Sequence, residues 1–338
     1  MAIAADIWVE TVKGRVKAYE ITPGTYVFGM DGMPTKVKSV QQYTPQQMYY
    51  VELSDGSNFE CDQFLVFPTG TFAQRVNTAK AKKPGSSRRQ KVYRYKSVTE
   101  LNQEGLKHPR QPDRFQYTVD TVAPLQYGYE DHAVPPFVAG MWFGRFNQTG
   151  RYKIPDTWHR YAKEHIQRSK QFAVVEKKDH WEIRPSIEAT FLKDYAIIPV
   201  KEFPYKYLYG TPEQRLEFLQ GYFALRPTAY EQGKDRFRLR KQNDRYSLEM
   251  IQVMCESLGI KTTLTKQTSF WCLIFKTQLP LMPDLPPAKC KFGERHRRIV
   301  KIEPCEPRPC VHIETEKPIA VSDSFIPIWH SHTNNKKS

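Results

Sequence analysis

The sequence predicts an α+β fold in which all-β segments at the two ends of the chain are interrupted by an α/β segment. Three observations support this prediction. Short apolar runs between turn dipeptides fill residues 1–70, helical and extended patterns alternate over 135–280, and a β pattern returns over 299–325. One domain is therefore expected to be inserted into another, although no local pattern shows that the two ends pair.

The composition indicates ordered domains and an anionic partner. The chain has 338 residues, more than one compact core usually contains, which favours two domains. Hydrophobic residues make up 40% of the chain and aromatic residues 13%, which excludes wholesale disorder. With 51 basic and 36 acidic residues the formal charge is +15, and a charge of this sign favours nucleic acid as the partner.

Cysteine spacing and hydropathy give no sign of a zinc-binding, membrane-spanning or secreted protein. No cysteine pair has the C-x-x-C spacing of a zinc site, so we expect reduced and mostly buried thiols. A zinc site that combines Cys290, Cys305 and Cys310 with nearby histidines stays open. No apolar run approaches the ~20 residues of a membrane helix, and no secretory signal is visible. The sequence therefore predicts a cytoplasmic protein with no membrane partner.

The first 70 residues predict a curled β domain. Strand-forming runs such as Tyr26–Phe28 are separated by turn signals, among them Pro23-Gly24 and Asp31-Gly32. The segment MYYVELSDGSNFE at 48–60 predicts a hairpin with Asp55-Gly56 at its tip.

Residues 75–96 are strongly basic and contain no acid. A solvated flexible loop and a phosphate-binding arm are both consistent with this composition. The candidate DNA-binding residues of this segment are Lys80, Lys82, Lys83, Arg88, Arg89 and Lys91.

The middle of the chain predicts helices and a basic sheet face. Helices are expected over about 157–170, 211–223 and 247–258, and Gly259 ends the last of them. The run RFRLR alternates arginine with apolar residues, so one face of a strand would present Arg236, Arg238 and Arg240. Two interpretations of these arginines remain: they contact bases or phosphates of DNA, or they belong to an ordinary solvent-exposed surface.

Both ends of the chain resemble the Hint domain of inteins. ADIWVETVKGRVKAYEITPGTYVFGMDGMPTKVKSV is similar to the opening intein block, and PCVHIETEKPIAVSDSFIPIWHSHT resembles the closing blocks of phage-like inteins. The middle resembles a two-repeat LAGLIDADG homing endonuclease. There PPFVAGMWFGRF (135–146) and TPEQRLEFLQGYFALRP (211–227) match the two motif helices, and RLRKQNDRYSLEMIQVMCESLGIKTTL (238–264) matches the strand and helix that follow.

The resemblance implies a horseshoe-like Hint domain interrupted by an αββαββ domain. Residues 1–74 and 283–338 would form the Hint domain, 75–130 a basic insertion or linker that contacts DNA, and 131–282 the LAGLIDADG-like domain. Its repeats would cover about 131–205 and 206–282, which implies a pseudo-symmetric monomer. In this family the motif helices pack through small residues, and Gly140, Gly144 and Gly221 are placed for such packing.

The splicing chemistry that the resemblance implies lacks its reactive groups. Ala2 takes the place of the first nucleophile, and alanine has none. Phe64 lies near the position of the activating histidine, with Cys61 near the threonine of the same motif, and phenylalanine transfers no proton. The closing His-Asn pair is replaced by His330 and Ser331, and serine has no amide to cyclise.

The endonuclease chemistry lacks its acids as well. Each motif helix of the family ends in an acid that holds Mg²⁺, and here Arg145 and Arg226 take those places. Glu231 and Asp235 follow the second helix and are poor substitutes. Phosphate binding and drift to ordinary surface residues are both open for the two arginines.

These observations favour an intein-like and homing-endonuclease-like protein that binds double-stranded DNA and has lost both chemistries. The first alternative is an active LAGLIDADG endonuclease that makes Mg²⁺-dependent double-strand cuts. The second alternative is a phage structural or interaction protein that reuses the fold. No cofactor is expected, and Mg²⁺ would be required only by the endonuclease alternative.

Overall fold

The structure is a computed structural model that divides into two compact units. It describes residues 2–71, 93–132, 134–144, 172–177, 181–185, 205–224, 226–242, 244–282, 296–322 and 324–329. The first unit comprises Met1–Gln126, Gly259–Lys261 and Lys291–Ser338, and the second comprises Tyr127–Leu258 and Thr262–Cys290.

Strands predominate over helices among the described residues, in agreement with the predicted α+β class. The four α-helices are α1 (Val98–Glu104), α2 (Pro136–Gly144), α3 (Pro212–Ala224) and α4 (Arg245–Ser257). Short 3-10 helices cover Ala18–Glu20, Tyr205–Leu208, Pro227–Ala229 and Gln232–Lys234. The strands, in chain order, are β1 (Ile3–Ala4), β2 (Trp8–Thr11), β3 (Gly14–Lys17), β4 (Tyr26–Phe28), β5 (Pro34–Lys36), β6 (Ser39–Leu53), β7 (Asn58–Cys61), β8 (Val66–Thr71), β9 (Arg94–Ser97), β10 (Lys107–His108), β11 (Gln111–Phe115), β12 (Tyr117–Asp120), β13 (Phe172–Glu176), β14 (Trp181–Pro185), β15 (Tyr230–Glu231), β16 (Arg236–Lys241), β17 (Thr262–Lys266), β18 (Trp271–Phe275), β19 (His296–Glu314), β20 (Ile319–Val321) and β21 (Ile326–Ile328).

A seven-stranded sheet joins the two ends of the chain in the first unit. Its order is β1-β7-β6-β19-β12-β8-β9, and β1 also pairs with β19. The long strands β6 and β19 run antiparallel from Ile299↔Leu53 to Glu314↔Ser39. The predicted hairpin is confirmed, since β6 pairs with β7 around a turn in which Gly56 has φ +89°. The first and last segments of the chain thus share one sheet.

A second sheet of six strands completes the first unit. The order of its strands is β21-β20-β2-β4-β5, and β3 pairs with β2. Apolar side chains of both sheets, such as Val9, Val51 and Ile313, belong to one buried cluster. Their removal from water is the main stabilising contribution that this unit can make.

The second half of the expected linker, from residue 93 onward, differs from the prediction. Strands β9 and β12 are members of the seven-stranded sheet, and α1 precedes the small β10–β11 hairpin. Val98, Leu101 and Tyr117 are buried in the core of the first unit, which explains why this part folds with it. Residues 75–92, with the basic candidates Lys80 to Lys91, lie outside the described residues.

In its described part, the second unit combines three α-helices with a four-stranded sheet of order β15-β16-β18-β17 and a separate β13–β14 pair. The helices predicted at 211–223 and 247–258 are confirmed as α3 and α4. Asp244 caps α4 by accepting a 3.0 Å hydrogen bond from the Ser247 N–H, and Gly259 follows the helix with φ +76°. The helix expected over 157–170 lies outside the described residues.

His132 of the second unit is stacked on a buried tyrosine. Its ring lies 4.2 Å from that of Tyr207, whose hydroxyl donates to the Val134 carbonyl at 2.7 Å. Burial, assisted by nearby Lys206, lowers the pKa of His132 from 6.5 to about 4. The unfolded chain therefore binds this proton first as the pH falls, and acid favours unfolding between these two values.

Replacing His132 with phenylalanine is expected to remove this acid sensitivity. The variant keeps an aromatic ring on Tyr207 but cannot titrate. Between about pH 7 and about pH 5, the free energy of unfolding of the original chain should fall by about 1 kcal/mol more than that of His132→Phe, a figure reduced because the ring is partly exposed. Urea unfolding at both pH values measures the difference. Parallel losses in both proteins would contradict the assignment.

Candidate functional site

Both ends of the described chain reach the same short segment of the first unit, residues 62–66. The Ala2 carbonyl accepts a 2.9 Å hydrogen bond from the Asp62 N–H. At the other end, the Trp329 N–H donates to the Val66 carbonyl at 2.9 Å. The structure therefore brings together Ala2, the segment containing Phe64, and the residue that precedes His330. His330 and Ser331 themselves lie outside the described residues.

The side chains at this meeting point offer little chemistry. Ala2 is 1% exposed and supplies only a methyl group. Phe64 is 58% exposed, and only its N–H is held, by a 3.0 Å hydrogen bond to Asp62 Oδ1. Burial raises the pKa of the Cys61 thiol well above its usual value, so this thiol stays protonated and is a poor nucleophile. Asp62 is a buried carboxylate that the sequence analysis did not single out.

Helices α2 and α3 of the second unit pack backbone against backbone. A Cβ atom placed on Gly140 would lie 1.9 Å from the Phe218 carbonyl oxygen, and one placed on Gly221 would lie 1.8 Å from that of Phe137. No side chain fits at these distances, so both positions require glycine. The predicted close approach of the two motif helices is confirmed at Gly140 and Gly221. Gly144, farther along α2, is less constrained, with 3.0 Å to the Tyr222 carbonyl oxygen.

Arg226 connects the ends of these two helices. Its Nη2 donates to the carbonyl of Gly144, the last residue of α2, and its guanidinium lies 4.7 Å from the centre of the Tyr222 ring. A cation at a helix C-terminus is favourable because the carbonyl end carries partial negative charge. Arg226 therefore occupies the paired helix ends with positive charge. Arg145, its predicted counterpart, lies outside the described residues.

Strand β16 presents the three predicted arginines on one face. Phe237 and Leu239 are buried on the opposite face, as the alternation RFRLR predicted. Arg236 and Arg238 both bind Glu231, at 2.6 Å and 3.2 Å. The two guanidinium groups lower the pKa of the Glu231 carboxyl, with the Arg236 hydrogen bond as the largest cause. Arg240 is exposed, with its guanidinium 5.4 Å from the centre of the Phe270 ring.

A cleft of about 350 Å³ lies beside this arginine face, which we define as Arg236, Arg238 and Arg240. Arg238 and Arg240 of this face line the cleft together with Arg226 and Glu231, so it contains three arginines and one carboxylate, which is neutralised by its ion pairs. Such a cleft attracts anions. The residues that line the cleft are Arg226, Thr228, Ala229, Glu231, Arg238, Leu239 and Arg240.

The carboxylates near the helix ends do not suit a divalent cation. Glu231 is bound by two arginines, and Asp235 accepts a 2.7 Å hydrogen bond from the Tyr230 hydroxyl. Within the described ranges, no three His, Cys, Asp or Glu side chains are grouped so that they would hold a metal ion. Mg²⁺ prefers several oxygen ligands with net negative charge, and a guanidinium beside them opposes its binding. The carboxylates that the structure describes at the helix ends therefore do not fit a Mg²⁺ site.

Comparisons with known proteins agree with this architecture. No protein-family model matches the chain. The replicative DNA helicase DnaB of Mycobacterium intracellulare is 24% identical over 276 residues, which are 79% of this chain and 44% of the helicase. The chain thus spans less than half the length of this relative.

Several solved structures are similar to this chain, most of them over part of its length. The splicing domain of the Msm DnaB1 intein, bound with zinc, is 29% identical over 20% of this chain and 54% of its own, with a TM-score of 0.19. A variant of I-DmoI, solved with its target DNA in the presence of manganese, is 13% identical over 42% of this chain and 87% of its own, with a TM-score of 0.26.

Inteins and a LAGLIDADG homing endonuclease are among the structural neighbours of this chain. The resemblance predicted from the sequence motifs is thus confirmed. We refer to the two units from here on as the Hint-like unit and the LAGLIDADG-like unit. The TM-scores are too low to transfer activity or residue roles, which must follow from the chain's own geometry. In the described part of the chain, no helix is long and apolar enough to cross a membrane.

Proposed function

We propose that this intein-like and homing-endonuclease-like chain binds double-stranded DNA and neither splices nor cuts. The observation that carries the proposal is the arginine face of the LAGLIDADG-like unit, with its cleft of three arginines and one neutralised carboxylate. Arginines that alternate along a strand point to one side of a sheet, where they bind phosphates or base edges. The net charge of +15 adds long-range attraction to DNA. The I-DmoI neighbour was solved with its target DNA, which is compatible with this partner.

Loss of splicing is supported by the side chains of the Hint-like unit. A splicing nucleophile must carry a hydroxyl or thiol at the first position, where Ala2 presents a buried methyl group. The exposed ring of Phe64 cannot act as an acid or base. In the sequence, Ser331 follows His330 where the family has the asparagine that cyclises. Three independent replacements would each stop a different step.

Loss of DNA cleavage is supported by the helix ends of the LAGLIDADG-like unit. Arg226 fills the second position of the paired acids and is held there by the Gly144 carbonyl. A guanidinium cannot ligate Mg²⁺, and its charge opposes a cation nearby. The same charge favours a phosphate, so DNA binding and loss of cleavage have one physical cause. We also propose that the two repeats act within one monomer. Analytical sedimentation, at the protein concentration used to measure binding, tests this.

Duplex binding measured with and without metal tests this proposal. Fluorescence anisotropy with labelled duplex DNA at about 50 mM salt should show binding that EDTA leaves unchanged, and affinity should fall steeply as salt rises. The same protein, incubated with Mg²⁺ and plasmids that contain helicase or terminase genes, should leave the plasmids intact. A version with flanking peptides should release no ligated product.

Each alternative predicts a different result from these assays. Site-specific double-strand cuts that depend on Mg²⁺ would support an active endonuclease and would overturn our interpretation of Arg226. Absence of duplex affinity even at low salt would overturn DNA binding and favour a structural or interaction protein. Ligation of the flanking peptides would show that the Hint-like unit still splices.

A further inference from the structure

A short basic hairpin of the Hint-like unit lies within the expected insertion 75–130, but apart from its basic candidates Lys80 to Lys91 and from the arginine face. Strands β10 and β11 form a separate two-stranded sheet, with Lys107↔Phe115 and His108↔Gln111 as partners. Its sequence, KHPRQPDRF, contains three basic residues and one acid. Lys107, Arg110 and Arg114 are all exposed. The hairpin therefore presents positive charge to solvent on a defined backbone.

The hairpin is held in shape at its tip and at its base. At the tip, the Arg110 N–H donates to His108 Nδ1 at 3.2 Å, and Pro109 and Pro112 fix two backbone φ angles. At the base, the Gln116 N–H donates to the Leu106 carbonyl at 2.8 Å. A loop ordered before binding loses less conformational entropy when it binds, which favours a recognition role.

Positive charge extends from the hairpin onto the main sheet. The Phe115 ring lies 3.8 Å from Lys107 Nζ and 5.9 Å from the guanidinium of Arg298 on β19. None of Lys107, Arg110 and Arg298 forms an ion pair with another described residue. Because no carboxylate of the described residues pairs with these three cations, an external anion can bind them.

We propose that this basic hairpin, Lys107–Phe115 together with Arg298, is a second contact surface for duplex DNA. A two-stranded ribbon fits the major groove, where arginine and glutamine side chains recognise base edges. Arg110 and Gln111 lie at the exposed tip, and Lys107 and Arg298 are placed to bind phosphates at its base. The proposal rests on the DNA binding proposed above but assigns a separate surface on the other unit.

A triple substitution with a matched control tests the hairpin. The hairpin variant carries Lys107→Gln, Arg110→Gln and Arg114→Gln. The control variant carries Lys13→Gln, Lys36→Gln and Lys38→Gln, which remove the same charge from other exposed positions of the Hint-like unit. Circular dichroism and thermal unfolding of both should match the original chain, because all six side chains are exposed.

We expect the hairpin variant to bind duplex DNA at least about tenfold more weakly at about 100 mM salt. The slope of log affinity against log salt should fall by about 2 to 3, because each lost phosphate contact removes about 0.9. The control variant should stay within about twofold of the original chain. The single variant Arg110→Gln should show a smaller loss in the same direction, which guards against misfolding of the triple variant.

The possible outcomes separate this surface from the arginine face. Equal affinities and slopes for the hairpin and control variants would overturn the hairpin proposal. If replacement of Arg238 and Arg240 with glutamine nevertheless weakens duplex binding, the proposed function stands without the hairpin. If the original chain does not bind duplex DNA, both proposals fail together. A hairpin variant that loses binding to polyglutamate but keeps its affinity for DNA would identify an acidic protein as the partner and would also overturn the proposal.

Discussion

Replacing Gly221 with alanine is expected to destabilise the LAGLIDADG-like unit by about 3 kcal/mol or more. The new Cβ atom would lie 1.8 Å from the Phe137 carbonyl oxygen, and neither backbone can yield without separating α2 from α3. Alanine favours an isolated helix by about 1 kcal/mol over glycine, so helix propensity alone predicts the opposite sign. Urea or thermal unfolding measures the result, and loss of soluble expression would be its extreme form.

Gly233→Ala is the matched control for this substitution. A Cβ atom at Gly233 would meet no atom within 4 Å, so its effect should stay within about 0.5 kcal/mol. If Gly221→Ala proves neutral or stabilising while the control behaves as expected, the two motif helices do not cross with their backbones in contact. The position of Arg226 above the Gly144 carbonyl would then need another explanation.

Replacing Arg238 and Arg240 with glutamine is expected to weaken duplex binding by about 100-fold at about 100 mM salt. Loss of one arginine that contacts DNA costs roughly 1–3 kcal/mol, or about tenfold or more in affinity. Arg240 is exposed, and Arg238 lines the cleft. Removal of Arg238 also leaves Glu231 with a single arginine partner, which adds repulsion of phosphate. Anisotropy titrations at several salt concentrations give both affinity and slope.

Arg245→Gln provides the control for the arginine face. Arg245 belongs to α4 of the same unit, is exposed and pairs with Glu249 at 2.6 Å. Its loss should change affinity by about twofold at most, because that charge is already partly neutralised. Equal losses for Arg245→Gln and for the double variant would point to nonspecific attraction by net charge rather than to a defined face.

The structure changes the interpretation of Arg226. The sequence left phosphate binding and drift to the surface as open alternatives for this residue. The guanidinium is bound to the Gly144 carbonyl and stacked near Tyr222, and it also lines the cleft. It therefore connects two helix ends and supplies positive charge to the cleft beside them. One residue thus contributes to stability and to the anion preference of the cleft.

Local patterns in the sequence were sufficient to predict the class and several elements. Helices α3 and α4 and strand β16 lie where periodicity placed them, because amphipathic spacing and caps act within a few residues. The alternation of RFRLR correctly divided buried from outward positions. The absence of a nucleophile at Ala2 and of an acid at Arg226 required only the residue types.

Tertiary structure alone decided which distant residues meet. Pro304, Pro307 and Pro309 are unfavourable within a strand, yet β19 pairs with β6 on both sides of them, with register shifts between Cys305 and Cys310. The capping of Gly144 by Arg226 and the charge that Arg298 adds to the basic hairpin follow from chain topology. No sequence period encodes such contacts, because they join segments whose separation along the chain far exceeds the span of any local pattern.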